Sequence, residues 1–308
     1  MNRLAVTLWH AAARTEGRGP IERRCEAYLD ANDRASAAKF RRATSRNQHV
    51  IGRGMTRRLM GGREVSADAT PFELLPGGKP VLRGVASDRC FNVSHTEGLV
   101  VVGIDRPVRS GNVDRRGVPG DMNAASGAAG GGRRVVGVDV ERLDRRTSPD
   151  LAARYFAEPE IEWLDAVSRR RPDQTVATFL KIWTLKEAFI KAIGTGLRTP
   201  LDAFAFDFTG EQTRITFLAS DLTNAAADDP RGPWVPTRWR FETMYPRPGY
   251  IASIAIGTED RNDRERVGAF GDDRERAGVF GDDSRSERLS VRLRRFDDLV
   301  RRERVPRS

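Results

Sequence analysis

The segment from Lys181 to Gly196, which reads KIWTLKEAFIKAIGTG, places charged side chains inside the pattern of a buried helix. Its apolar residues recur at three- and four-residue steps, which predicts an α-helix with one apolar stripe. They are Phe179, Ile182, Trp183, Phe189, Ile190 and Ile193. Pro172 suits the first turn, where a missing amide hydrogen costs little, and Gly194 marks the end. The chain must therefore fold so that one side of this helix is buried.

Two charged residues of this helix, Glu187 and Lys191, lie four residues apart and share a face, with Lys186 beside them. The chain has 53 lysines and arginines together, but only five are lysines, and three of those fall between Lys181 and Lys191. A compact ammonium group is thus favoured here over a planar guanidinium. The helix alone leaves two interpretations open, a functional pair of side chains and an ordinary exposed ion pair.

The basic composition gives the chain a net charge of +10, from 53 basic and 43 acidic residues among 308. This charge predicts an acidic or phosphorylated partner, and it keeps open the alternative of a nucleic-acid-binding module. The two cysteines, Cys25 and Cys90, cannot build a disulfide framework and favour a reducing compartment. We find neither an apolar run long enough to span a membrane nor a signal-peptide pattern. We expect a soluble cytoplasmic protein.

The first part of the chain predicts a strand followed by an arginine-rich helical region. Residues 3–9 have the pattern of a strand, and residues 33–60 that of a helix or a helix pair. The many cations on this helical surface are either solvated or form a cradle for phosphate groups.

Two polar stretches come next. Residues 77–80, Gly-Gly-Lys-Pro, predict a turn that reverses the chain or brings its backbone close to a ligand. Residues 91–104 predict a strand, a polar turn and a second strand. We expect Asn92, Ser94 and His95 in that polar turn.

The middle of the chain changes character twice. Residues 105–133 are rich in glycine and alanine and poor in large apolar residues, which predicts a disordered insertion between two halves. Residues 134–141 then predict a strand in which Asp139 and Glu141 share one face, while the valines at the alternate positions, 136, 138 and 140, point into the core. Two carboxylates placed in this way suit Mg²⁺. The alternative is a strand that ends in solvent.

The remaining residues predict a helix over 158–169 and four strands, over 203–208, 213–218, 237–244 and 250–256. Residues 264–273, RERVGAFGDD, recur as RERAGVFGDD in a charged, low-complexity tail. At its end, an apolar stripe predicts an amphipathic helix, which either docks on a partner or packs on the protein itself. The stripe consists of Leu289, Leu293, Phe296 and Val300.

Four motifs occur in an order that resembles a known family. They are GGKPVL at 77–82, FNVSH at 91–95, GVDVE at 137–141 and WTLKEAFIKAIGTGL at 183–197. With these motifs the chain resembles the 4′-phosphopantetheinyl transferases, of the larger pseudo-dimeric type that includes the surfactin-synthetase activator. The resemblance covers about residues 30–256, apart from the insertion.

The resemblance implies an α+β fold of two similar α/β halves, related by a pseudo-twofold axis, with the cofactor in the cleft between them. We therefore expect an N-terminal half over 1–104, the insertion over 105–133, a C-terminal half with the metal site over 134–258, and the charged tail over 259–308. A pseudo-dimer of this kind is expected to act as a monomer.

The resemblance also implies roles for single residues. Asp139, Glu141 and Glu187 match the residues that hold Mg²⁺, with Mn²⁺ as a substitute, against the pyrophosphate of coenzyme A. Glu187 also matches the proposed base for the serine hydroxyl, and Lys191 the lysine that contacts the pyrophosphate. Ser94 and His95 match residues around the phosphates of coenzyme A.

The end of coenzyme A that carries adenine and the 3′-phosphate is matched by Gly78, Lys79 and Pro80. The arginine that often binds the 3′-phosphate in this family is replaced by Gln48 in our alignment, so Arg46, Arg42 or Lys39 is expected to serve instead.

The implied reaction is Mg²⁺-dependent transfer of 4′-phosphopantetheine from coenzyme A to a serine of an apo acyl or peptidyl carrier protein, with release of 3′,5′-ADP. One alternative keeps the fold without the activity, as an inactive protein that binds coenzyme A. The other is the nucleic-acid-binding module.

Overall fold

The structure is a computed structural model that describes residues 4–61, 72–74, 79–82, 89–105, 133–146, 149–228, 233–259 and 289–301. These residues form a mixed α/β fold. The helices are α1 Pro20–Glu26, α2 Ala31–Ala38, α3 Ala43–Gly61, α4 Pro149–Tyr155, α5 Glu158–Arg170, α6 Thr175–Ile193, α7 Ser220–Asp228 and α8 Phe296–Arg301. The strands are β1 Ala5–Ala12, β2 Phe72–Leu74, β3 Pro80–Leu82, β4 Phe91–Thr96, β5 Leu99–Asp105, β6 Arg133–Arg142, β7 Phe204–Asp207, β8 Arg214–Phe217, β9 Trp239–Met244, β10 Tyr250–Glu259 and β11 Ser290–Arg295.

Two larger sheets and two hairpins contain these strands. The first sheet has the order β11-β1-β5-β4, in which β1, β5 and β4 pair antiparallel and β11 pairs parallel with β1. The second sheet has the order β6-β10-β9, and its strands are all antiparallel. The hairpins are β2-β3 and β7-β8. Apart from β11, the two larger sheets have the same arrangement. In each, the central strand is the last of the three in the chain, β5 or β10. The first of the three, β1 or β6, lies on one side of it, and β4 or β9 lies on the other.

The two larger sheets pack face to face, and each carries a helix on its outer face. Leu8 and Val101 of the first sheet share an apolar cluster with Val138 and Ile254 of the second. The opposite face of the first sheet packs on α3, and the opposite face of the second packs on α6. The result is four layers, helix, sheet, sheet and helix, in which alternate strand residues face different layers.

Gly137 fixes how closely β6 approaches α6. A Cβ atom at this position would lie 1.9 Å from the carbonyl oxygen of Ala188 and 2.5 Å from the amide nitrogen of Ala192. Because both atoms belong to the helix backbone, only glycine fits. Asp139 and Glu141 lie on the same face of β6 as Gly137, since side chains alternate along a strand. The tight contact therefore brings both carboxylates under α6.

The central helix ends where the sequence predicts. Gly194 follows α6 in the left-handed region with a φ of 76°, and its amide donates to the carbonyl of Ile190 at 2.9 Å. Its beginning differs slightly, because Pro172 opens a short 3₁₀ turn, Pro172–Gln174, and α6 itself starts at Thr175. The helix pair predicted over 33–60 is confirmed as α2 and α3.

Two sequence predictions about local structure are wrong. Asn92, Ser94 and His95 lie within strand β4 and not in a turn, because the chain reverses over only two residues, Glu97 and Gly98. Residues 290–295 are not helical but form β11, whose backbone pairs with β1. Only the six residues of α8 keep the predicted helix.

The end of the charged tail is part of the first sheet and its core. Phe296 is fully buried, and Val300 packs in the same apolar cluster as α3. The expectation of a charged tail over 259–308 is therefore corrected for residues 289–301, which belong to the fold. Of the two alternatives for the apolar stripe, docking on a partner or packing on the protein itself, α8 shows the second. The duplicated decapeptide and residues 106–132 of the insertion lie outside the described residues.

The part of the chain that the structure describes contains no helix that is long and apolar enough to cross a membrane.

Candidate functional site

The predicted site residues gather where the edge of the first sheet meets the second, at a seam between β4 and β6. Three side chains of β4 cross this seam. Asn92 accepts a hydrogen bond from the backbone of β6 at 3.0 Å, Ser94 Oγ donates to Asp139 Oδ1 at 2.8 Å, and Thr96 Oγ1 donates to Glu141 Oε2 at 3.3 Å. The two halves of the chain are therefore joined by side chains that the sequence singled out for function.

Lys191 reaches the same seam from α6. Its ammonium donates to Asp139 Oδ1 at 2.6 Å and to Ser94 Oγ at 3.0 Å. The other oxygen of the buried Asp139 carboxylate, Oδ2, is shielded from solvent and has no hydrogen-bond partner among the described residues. A buried carboxylate oxygen without a partner costs free energy unless a cation or a donor satisfies it.

Two further carboxylates lie within electrostatic reach of Asp139. Burial, followed by the charge of Asp139, raises the pKa of the Glu187 carboxyl. The same two causes, in the same order, raise the pKa of Glu141, although Arg145 forms an ion pair with it. Each carboxyl thus gains protons more readily than in water, because three acidic groups share a poorly hydrated region.

These three carboxylates do not form a closed coordination shell. Within the described ranges, no group of three Asp, Glu, His or Cys side chains is arranged to hold a metal ion. Lys191 is paired with Asp139, and Arg145 with Glu141. The structure therefore brings the predicted metal ligands to one place, but two of the three carboxylates are paired with internal cations.

A cavity of about 310 Å³ lies beside the seam, between α3, β3 and β4. His95 and Pro80, both predicted to bind the cofactor, line it, and so do His49 and Arg53 of α3. The pKa of His95 is lowered by desolvation and then by the nearby Lys191 charge. The cavity is therefore lined by groups that can donate to phosphate oxygens, and one of them, His95, lies within electrostatic reach of Lys191.

Lys79 does not direct its ammonium into this cavity. Its Nζ donates to the carbonyl oxygen of Ala192 at 2.6 Å and to that of Val136 at 3.4 Å. Lys79 therefore ties the segment before β3 to the last turn of α6 and to β6. Gly78 lies outside the described residues.

The arginines predicted for the 3′-phosphate do not line the cavity either. Arg46 forms an ion pair with Glu26, and Arg42 and Lys39 are exposed. Arg53 occupies the cavity wall instead, one turn beyond His49. The sequence analysis did not identify His49 or Arg53 as site residues. Residues 45, 48, 49, 52 and 56 share one face of α3 at helical spacing, and this pattern could have indicated the cavity wall.

Lys186 points away from the site, in contrast to its predicted place beside Glu187. It is fully buried and pairs with the fully buried Glu160 at 2.7 Å. Its Nζ also donates to the carbonyls of Leu201 and Phe204, each at 2.6 Å. Adjacent residues of a helix point about 100° apart, so Lys186 lies on a different face of α6 from Glu187. It anchors that face of the helix to Glu160 of α5.

Comparison with known proteins shows a family similarity over the part of the chain that carries the site. The family model of the 4′-phosphopantetheinyl transferase superfamily matches residues 135–255, which include β6 and α6 with all three carboxylates and Lys191. Over these residues the chain is similar to the 4′-phosphopantetheinyl transferase superfamily. It also resembles individual transferases over longer stretches.

Three relatives illustrate the extent of this similarity. A 4′-phosphopantetheinyl transferase of Bacillus subtilis is 27% identical over 186 residues, which cover 60% of this chain and 68% of the relative. The transferase HetI of Nostoc sp. is 27% identical over 230 residues, 70% of this chain and 84% of the relative. The transferase Sfp of Bacillus subtilis (strain 168) is 23% identical over 180 residues, 58% and 66% of the two chains. The similarity to Sfp agrees with the resemblance to the Sfp type that the sequence motifs indicate.

Proposed function

We propose that this protein transfers the 4′-phosphopantetheine group of coenzyme A to a serine hydroxyl of an apo acyl or peptidyl carrier protein and releases 3′,5′-ADP. The proposal is carried by one observation, the convergence of Lys191, Ser94 and three carboxylates at the seam beside a cavity. The match of residues 135–255 to the family model supports the same reaction.

In this proposal, the residues of the seam handle negative charge and one proton. Attack of a serine oxygen on phosphorus places additional charge on the diphosphate. The ammonium of Lys191 and the hydroxyl of Ser94 act as donors to its oxygens, which stabilises the transition state. Glu187, whose pKa is raised by burial and by Asp139, accepts the proton of the serine hydroxyl.

We further propose that Asp139, Glu141 and Glu187 hold Mg²⁺, or Mn²⁺ in its place. Their oxygen-only donors suit these ions, and the unpartnered Oδ2 of Asp139 is the atom that most needs a cation. When bound, the ion would neutralise charge on the diphosphate as a Lewis acid.

The cavity beside the seam is the proposed place for the nucleotide end of coenzyme A. His95 lies on the wall near Lys191, and Pro80 lies on the wall formed by β3. We assign the 3′-phosphate to His49 and Arg53 in preference to Arg42 or Arg46, because the first pair faces the cavity. Lys79 shapes the wall through its contacts with α6.

We infer that the two halves are related by a pseudo-twofold axis, with the site between them. The described elements recur in the same order, a strand, three helices, a hairpin and two strands, first as β1 to β5 with α1 to α3 and then as β6 to β10 with α4 to α6, where α7 is an additional helix between the hairpin and the last two strands. The sheet orders β1-β5-β4 and β6-β10-β9 correspond strand by strand. The two halves together supply what a dimer would, so we propose that the protein acts as a monomer.

We also propose a cytoplasmic location. Cys25 and Cys90 are free cysteines, which agrees with a reducing compartment.

Intact-mass analysis of apo carrier proteins tests the proposed function. Several carriers are incubated with the protein, coenzyme A and Mg²⁺, with and without a chelator. A metal-dependent gain of one phosphopantetheine group on a carrier is the expected result. Binding of coenzyme A without any gain on any carrier would instead indicate an inactive coenzyme A-binding protein, and salt-sensitive binding of DNA or RNA without coenzyme A binding would indicate a nucleic-acid-binding module.

A further inference from the structure

Arg145 is a charged residue at the seam that the proposed reaction does not yet use. It lies just after β6, and its guanidinium forms an ion pair with Glu141 Oε1. Because Thr96 donates to Oε2, both oxygens of Glu141 are engaged. Asp139 differs, since its Oδ2 has no partner among the described residues. An incoming divalent cation can bind Asp139 directly but must compete with Arg145 for Glu141.

The guanidinium of Arg145 has a second support that does not depend on Glu141. Its central carbon lies 5.3 Å from the ring centroid of Trp183 on α6, within the range of a cation–π contact. Trp183 is held in turn by Tyr155, edge to face at 5.7 Å, and by Phe179, stacked at 6.2 Å. Trp183 also lies one helical turn before Glu187. Arg145 therefore stays beside the site even when its carboxylate partner is taken.

The side chain of Arg145 is 37% exposed, so the guanidinium can turn toward a ligand without crossing a packed core. A planar guanidinium binds phosphate oxygens with two parallel hydrogen bonds, which an ammonium cannot do. The geometry thus offers a cation that is displaced from Glu141 by a metal ion and remains close to the place where a diphosphate would bind.

We propose that Arg145 exchanges Glu141 for the diphosphate of coenzyme A when a divalent cation occupies the three carboxylates, with Trp183 retaining the guanidinium through the exchange. This inference rests on the proposed function. It makes Arg145 a second cationic ligand of the diphosphate, besides Lys191, and it couples metal binding to coenzyme binding through one side chain.

Titration calorimetry on the Arg145→Met variant tests the exchange, with Mn²⁺ and coenzyme A as probes. Mn²⁺ alone should bind about threefold more tightly than to the unmodified protein, because Glu141 no longer has an internal ion pair to lose. Coenzyme A in the presence of Mn²⁺ should bind about tenfold more weakly, because a charged hydrogen-bond donor is missing. If Arg145 had a purely structural role, the variant would bind both ligands more weakly. Tighter binding of Mn²⁺ together with weaker binding of coenzyme A therefore distinguishes the exchange from a structural role.

Arg146→Met is the matched control, since Arg146 is the exposed neighbour of Arg145 and should leave both affinities unchanged. Arg145→Gln is measured in the same way if circular dichroism shows that Arg145→Met does not fold. Equal weakening of both ligands, or no change in either, in the folded variant would overturn the inference. If the unmodified protein binds neither Mn²⁺ nor coenzyme A, it is the proposed function that fails.

Discussion

At the scale of single residues, the site depends on a few charges held in a poorly hydrated seam. The sequence predicts which side chains share a face. Strand alternation places Asp139 and Glu141 on one face of β6, and helical spacing places Glu187 and Lys191 on one face of α6. The sequence does not predict which charges pair. Lys79 and Lys186 are identified in the sequence by their rarity, yet both donate to backbone carbonyls elsewhere. Their partners lie far along the chain, and local periodicity contains no information about them.

Glu187→Gln should abolish transfer while the fold is retained, because the amide keeps the shape of the side chain but can neither accept the proton nor bind a metal ion with its charge. We expect a loss of at least about a hundredfold in rate, measured as the rate of mass gain on a carrier protein. Glu162→Gln, on the exposed surface of α5, is the control. Full activity in the Glu187 variant would remove this residue from both proposed roles.

The buried pair of Lys186 and Glu160 makes a separate prediction about stability. Burial is the main cause that lowers the pKa of Lys186 and raises that of Glu160, and each charge opposes the shift of the other. Lys186→Met alone leaves Glu160 as an uncompensated buried charge and should cost about 3 to 5 kcal/mol.

The double variant Lys186→Met with Glu160→Gln should recover part of that loss in urea unfolding, because no unpaired charge remains while the amide oxygen keeps an acceptor for one of the two backbone amides, Ala157 or Phe206, that Glu160 binds. A double variant that is less stable than the single one would contradict this account.

At the scale of secondary structure elements, the C-terminal segment shows where local pattern is insufficient. Leu289, Leu293, Phe296 and Val300 have helical spacing, but the residues before Phe296 pair with β1 as a parallel edge strand. The partner strand is remote in sequence, and tertiary pairing overrides a helical pattern in a short segment. The helices α3, α5 and α6 are predictable because they are long and carry regular apolar stripes, and α2 falls within the region predicted together with α3. The helices α1, α4 and α7 are not predicted.

Phe296→Ala should destabilise the protein by about 3 to 5 kcal/mol, because Phe296 is fully buried in the core beneath the first sheet. The matched control is Leu293→Ala, whose side chain is 43% exposed on β11 and should change stability by no more than about 0.5 kcal/mol. Urea unfolding of both variants measures the difference. Equal effects would mean that the segment is not docked as described.

At the scale of the whole molecule, the stacking of two sheets was not derivable from residue patterns, although the resemblance to the family implied two similar halves. The valines of β6 predicted a buried face, and the face they meet belongs to β1 and β5 of the other half. Alternation identifies the buried side of a strand but not its partner. His10 lies in β1 between β5 and β11, so its environment depends on this assembly.

His10 provides a prediction of pH dependence. Desolvation, with smaller contributions from Arg247 and Arg295 that outweigh the opposing charge of Asp298, lowers its pKa to about 4. Between about 6.5 and 4 the unfolded chain therefore binds more protons at this position than the folded one, and stability falls as the pH is lowered through that window. The contribution of His10 is at most about 3 kcal/mol and is fully present above pH 6.5.

His10→Gln should accordingly lose less stability than the unmodified protein between pH 7.5 and pH 4.5, measured by urea unfolding at each pH. The other two histidines, His49 and His95, remain in both proteins, so the difference isolates His10. Identical pH dependence of the two proteins would show that this imidazole is not shielded by the assembled sheets.

The parallel pairing of β1 with β11 has a consequence for how the protein is made. The ribosome synthesises β1 early and β11 only after all of the other described strands, so the edge of β1 lacks its neighbour for most of translation. An uncovered strand edge invites pairing with other chains, and contacts between such distant residues form slowly. The nascent chain is therefore exposed to association through the edge of β1 until β11 emerges.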